Sequence, residues 1–231
     1  LVTNLASVGI VLGVMALIIV LSVMNGLEGY QKQQVLSSIP HAIVSPNGKV
    51  KIDDAEPPMP NFVQKAVPIN MTNVIFQTAG GVSAGQVIGI RQFSDDPILS
   101  TLSEQNFEDL LPTGEFKIII GDQLAQKLNL HVGDKVRLMI TENSQYTPFG
   151  RVPLQRLFTV SEIYFDAGHA SGYEAFANLT DIGRLMRIQP GEVQGFRLFL
   201  TDPFQITELP AAFPSATQIT DWRTQKGEFF Q

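Results

Sequence analysis

Cysteine is absent from the 231 residues, which excludes disulfides, thiolate nucleophiles and cysteine-ligated metal centres together. Histidine is nearly as scarce. His41, His131 and His169 are the only ones; none has a second histidine at metal-ligand spacing, and the HExxH pattern of zinc hydrolases does not occur. His169 stands near Asp166 and Glu174 in the sequence, but a solvated loop histidine is the better reading. No Walker phosphate-binding loop is present, so nucleotide hydrolysis is not chemistry of this segment. Charged residues make up only 16%, against about a quarter in ordinary soluble domains. The formal net charge is -6, and no cluster of lysine and arginine offsets it. Nucleic-acid binders need such clusters to displace counterions from phosphates, so that class is set aside. The composition leads to an expectation of no catalytic residue, no metal and no cofactor.

What the chain has instead is a long apolar run at its start. From Leu5 to Met24 no charged residue appears, and this approaches the roughly 20 apolar residues that a membrane-spanning helix needs. A signal peptide should show a cationic leader and a small-residue cleavage site, neither of which is visible. A buried soluble helix should show a polar stripe, which is also missing. Gly9 and Gly13 share one helix face and offer close approach to another helix, a weak signal by itself. Beyond Asn25 and Gly26 the polarity rises, and the helix is expected to run on into water and stop at Pro40.

The remainder interleaves short strands and helices, which predicts an α+β domain. Asn61 is expected to cap a short helix from Phe62 to Val67. Strands over Asn73–Thr78 and Gln86–Ile90 follow, joined by a glycine-rich stretch that holds Gly81, Val82, Ser83, Ala84 and Gly85. That stretch matches the G-x-S-x-G nucleophile elbow literally, but an elbow needs a helix after the serine, and QVIGI reads as a strand. A hairpin turn is therefore predicted. Farther on, a strand ending at Ile120 leads through Gly121 into a helix that begins at Asp122 and sets Leu124, Ala125 and Leu128 on one face.

The segment from Arg137 to Arg156 stands out. Strand-like runs over Val136–Ile140 and Leu157–Val160 enclose an insert far longer than the two to five residues of common hairpin loops. It carries Tyr146, Pro148, Phe149 and Pro153, whereas disordered linkers are poor in aromatics. Two readings stand side by side: rings that fold back onto their own domain, or an arm built to be gripped by a partner. Strand parity places Val136, Leu138 and Ile140 on one face and Arg137 with Met139 on the other. Gln155 and Arg156 point to opposite faces. Arg156 has the parity of Phe158 and Val160, which leaves open whether it is exposed or lies over the edge of the core.

The run SQYTPFGRVPLQRLF, together with LGVMALIIVLSVMNG near the start and DWRTQKGEFFQ at the end, resembles the LolC/LolE/LolF family. Its members are membrane subunits of the lipoprotein-releasing ABC transporter. The unit FKIIIGDQLAQKLNLHVGDKVRLMI resembles a module of the wider group of macrolide-export (MacB) and cell-division permeases. The resemblance implies a transmembrane helix over residues 1–26, cut short at its start, and then a two-lobe periplasmic domain of the MacB type. Its Porter lobe would comprise residues 27–90 and 192–231, the latter leading toward a second transmembrane helix. Its Sabre lobe would comprise residues 91–191. A Hook over residues 141–153, with Tyr146, Thr147, Pro148, Phe149, Gly150, Arg151 and Pro153, would insert into the periplasmic chaperone LolA. A neighbouring Pad would match Arg137, Gln155 and Arg156, and Met24 would touch lipoproteins. The implied setting is the bacterial inner membrane. Implied partners are LolA, the ATPase LolD, a LolE-type subunit (or a second copy, for a LolF-type chain) and the lipoproteins themselves. Three alternatives remain: LolC type, LolF type, or a mechanotransmitting permease of the macrolide-export type that grips another adaptor.

Overall fold

The computed structural model describes residues 2–37, 42–46, 50–51, 59–147, 150–165, 172–214 and 216–221. The chain divides into two compact units, Leu1–Ile39 and Pro40–Gln231. The first is the helix α1, Val2–Ser37. Its stretch Val2–Leu27 is long and apolar enough to cross a membrane. At 1.5 Å per residue, 26 residues reach about 39 Å, beyond the ~30 Å hydrocarbon layer.

The second unit holds eleven strands and four short helices among the described residues. In chain order these are β1 Ala42–Pro46, β2 Val50–Lys51, β3 Val63–Thr78, β4 Gly81–Ile90, α2 Phe107–Leu110, β5 Lys117–Gly121, α3 Asp122–Leu128 and β6 Lys135–Thr147. They continue with β7 Gly150–Tyr164, β8 Glu174–Asn178, α4 Leu179–Leu185, β9 Glu192–Val193, β10 Gly195–Leu200, α5 Leu209–Ala212 and β11 Ala216–Asp221. The strand order is β11-β1-β10-β3-β4-β8-β5-β7-β6, and β6 pairs back onto β3. The last six strands therefore close into a barrel, while β11, β1 and β10 extend an open sheet from the first half of β3.

β3 belongs to both. Val63 to Ile69 pair with β10, and Asn70 to Thr78 pair with β4. The changeover is fixed by Asn70, whose side chain is 1% exposed. Its amide nitrogen donates to the Leu179 carbonyl at 3.0 Å, and its oxygen accepts from the Gln194 backbone N–H at 2.9 Å. Ile90, the last residue assigned to the first part of the Porter lobe, is also the last residue of β4. The passage from sheet to barrel lies within β3, and the stretch after Gly191 returns to β2 and the open sheet through β9, β10 and β11.

Alternation explains the layers. Val87, Ile118, Ile120, Ala175 and Ala177 point into the barrel with Phe76, where Leu124 of α3 and Ile182 of α4 join the same cluster. Their neighbours Ile88, Ile90, Ile119 and Phe176 point outward and are covered by Phe93, Leu99 and Leu111. Strands buried on both faces read as continuous apolar runs, as KIIIG does.

Two local expectations change. The segment from Phe62 to Val67 is not an Asn61-capped helix; Val63 onward is β3. Pro68 follows it, but this half of β3 pairs only with β10, and a proline is tolerated at a sheet edge. Ser83 is not in the turn either. The turn is Ala79 and Gly80, β4 begins at Gly81, and Ser83 lies opposite Phe76. The serine is 3% exposed, and its hydroxyl donates to the adjacent Ala84 carbonyl. A strand continues through it, so the nucleophile elbow is excluded.

Candidate partner-binding site

The insert has regular backbone. β6 and β7 pair from Lys135 and Thr159 out to Tyr146↔Arg151 and Thr147↔Gly150. The expectation of a long loop without secondary structure is corrected: it is a two-stranded ribbon. A ribbon that pairs only with itself need not carry one-sided hydrophobic alternation, so its pairing leaves little trace in sequence. The register shifts between Ile140, which faces Leu154, and Gln145, which faces Val152. Residues 141–144 therefore oppose the single Pro153. A residue that cannot donate to a ladder belongs at such a bulge. β3 pairs with β6 only at Arg137 to Met139, and β5 joins β7 only from Thr159. Between those limits and the tip, the described pairings join the ribbon to nothing but itself.

The Hook residues Tyr146, Thr147, Gly150 and Arg151 form the last two ribbon pairs, and Pro153 is half-buried at the bulge. Pro148 and Phe149 lie outside the described residues. Met24 is exposed on α1.

The three Pad residues do not share one face. Arg137 faces Leu157, and Met139 faces Gln155, so Arg137 and Gln155 lie on the same side with the 46% exposed Leu157. Arg156 faces Leu138 on the other side. It is nevertheless exposed, which settles the question that parity left open. Its guanidinium carbon stands 3.7 Å from the centroid of the Phe116 ring. No ion pair to Arg156 or Arg137 is present among the described residues.

Phe116 is the contributor that sequence reasoning missed. Its ring stacks edge-on against Phe158 at 5.6 Å and 82°. Its φ is +53°, a conformation unfavourable for a bulky residue unless its surroundings impose it. Here they do. Its N–H donates to Asp181 Oδ2 at 3.1 Å, and its carbonyl accepts from the Thr159 N–H at 3.0 Å. The other oxygen of Asp181 accepts from the Gly114 N–H at 2.8 Å. Asp181 is fully buried at the start of α4, with Arg184 Nη1 3.7 Å away. Only the glycine two positions earlier hints in the sequence at a sharp turn before β5.

Among the described residues nothing resembling a catalytic constellation competes with this surface. Among the described residues no group of three potential metal ligands occurs. His131 is exposed beside Asp134 in a turn. His41, His169 and Asp166 lie outside the described residues. An open groove of about 650 Å³ along β3 and β4, lined by Asn73, Ile75, Gly85, Gln86, Tyr173 and Glu174, offers one carboxylate and one phenol, with no histidine, lysine or second carboxylate in its lining.

Residues 3–213 match the family described as the MacB-like periplasmic core domain. Over 231 residues the chain is 74% identical to the lipoprotein-releasing system transmembrane protein LolC of Haemophilus influenzae, covering 100% of this chain and 58% of that protein. It is 32% identical to LolC of Neisseria meningitidis, again over 100% and 58%. Against LolE, also of Haemophilus influenzae, the figure is 23% over 100% and 58%. The chain thus spans less than two thirds of the length of the curated relatives it matches.

Proposed function

The chain belongs to the family of the MacB-like periplasmic core domain, and from that premise we propose that it is part of the LolC-type membrane subunit of a lipoprotein-releasing ABC transporter. In this reading α1 anchors the chain in the inner membrane. The strand-rich unit lies in the periplasm and recruits the chaperone LolA, so that lipoproteins bound for the outer membrane pass from the membrane to LolA. ATP hydrolysis resides on a separate subunit, LolD, and a LolE-type subunit completes the membrane part. Met24, on the exposed surface of α1, contacts lipoprotein. The far higher identity to LolC than to LolE supports the LolC type.

The observation that carries the docking role is the β6–β7 ribbon, which pairs only with itself beyond the barrel. A regular ribbon loses less conformational entropy on binding than a free loop of the same length. The sequence between its strands includes Phe149, an aromatic of the kind that dominates interface energetics. The Pad residues Arg137, Gln155 and Arg156 flank its base, Arg156 from the opposite face. A partner that receives the tip therefore meets charge on both sides of the ribbon.

Titration of purified LolA against the detergent-solubilised chain tests this. Phe149→Ala is expected to weaken binding about thirtyfold, the equivalent of about 2 kcal/mol for a hot-spot aromatic. Deletion of residues 141–153 should abolish binding. Undiminished affinity after that deletion would refute the docking role.

A further inference from the structure

We infer that Phe116 is a positioning residue for partner binding, one that holds the Arg156 guanidinium over its ring and so restrains that group before a partner arrives. The inference rests on the Pad reading and deepens it. An exposed arginine on a strand ordinarily samples many rotamers, and holding it still costs entropy at the moment of binding. Here the platform is built beforehand. The ring lies 3.7 Å from the guanidinium carbon, and Phe158 packs edge-on against it. The backbone beneath is held at positive φ by the buried carboxylate of Asp181 and by the Thr159 N–H. Strain of that kind persists only where neighbours over-determine it. With no ion pair to Arg156 among the described residues, the restrained guanidinium fits a carboxylate on the partner, taken in bidentate fashion.

The test is a double-mutant cycle on the detergent-solubilised chain, with LolA as the titrant. Phe116→Leu keeps the bulk and removes the aromatic face. It should weaken binding about two- to fivefold, the range expected for an exposed cation–π contact. Phe116→Tyr should bind like the wild type. Phe116→Leu should have no further effect once Arg156 is alanine, and Arg156→Lys should behave like Arg156→Ala because an ammonium cannot make the bidentate contact. A direct measurement stands beside these. In the wild-type chain labelled with 15N-arginine, the Arg156 side-chain N–H signals should be shifted upfield by the ring, and Phe116→Leu should remove the shift. If Arg156→Ala weakens binding while Phe116→Leu does not, the positioning role falls and the Pad stands. If Arg156→Ala binds like the wild type, both fall. Unshifted Arg156 signals in the wild type overturn the stack itself.

Discussion

Arg197 on β10 has 4% of its side chain exposed, and it donates to Asp96, which is 1% exposed. The two groups sit where the open sheet meets the turns that follow β4. Asp96 also caps the turn beginning at Pro97 by accepting from the Ile98 N–H at 2.9 Å. Burying both charges is expensive, and Arg197 Nε finds no hydrogen-bond partner among the described residues. Removing one charge alone is worse, because the other stays buried and unpaired. Asp96→Ala should therefore cost about 3–5 kcal/mol in chemical denaturation followed by circular dichroism, and pairing Asp96→Leu with Arg197→Met should recover most of it. A single alanine within 1 kcal/mol of wild type would show that the pair contributes no such stability. At this scale the sequence was only partly informative. The parity of Arg156 with Phe158 was legible from alternation, and so was the exposed side of Arg137. The stack on Phe116 was not, since it joins residues forty positions apart through a backbone kink that leaves no periodic signal.

Elements were legible where the hydrophobic period changes within a few residues. The passage from KIIIG into DQLAQKL fixed β5, the Gly121 junction and α3 because alternation gives way to a helical face and an acidic residue opens the first turn. Reading failed where strand partners are distant. Phe62 to Val67 has no decisive period, and the strand that pairs with it, β10, lies more than a hundred residues along the chain. The ribbon of β6 and β7 was mistaken for a loop for a related reason: strand propensity reports packing against neighbours, and among the described pairings the outer ribbon has no strand neighbour but itself. Of the glycines at the start of β4, Gly81 has open space beside it, whereas Gly85 is fixed by crowding. A Cβ on Gly85 would meet the Phe76 ring at 2.7 Å and the Tyr173 carbonyl closer still. Gly85→Val should lower the thermal midpoint by on the order of 5 °C, as overpacking of about 1–3 kcal/mol implies. An unchanged midpoint would mean that β4 and β8 separate there without cost.

Across the whole molecule, the division between apolar helix and strand-rich unit was plain in the sequence from composition alone, whereas the closure of six strands into a barrel was not. Closure depends on β6 reaching back to three residues of β3, a contact that no local pattern announces. Because the strand-rich unit holds its own core clusters, a chain beginning at Tyr30 should be a folded, soluble monomer by size-exclusion chromatography and circular dichroism. Aggregation of that chain after correct refolding would place the membrane boundary elsewhere.

The double membership of β3 has a mechanical side. Its 16 residues extend over roughly 50 Å at strand rise, and they change neighbours at Asn70 without a break, under two side-chain hydrogen bonds. No residue of β3 pairs with both β10 and β4, so what resists a bend at that point is the Asn70 side chain, bonded to Leu179 and to Gln194. One unbroken strand thus runs from the sheet into the barrel, so the two are joined by shared ladder rather than by a linker.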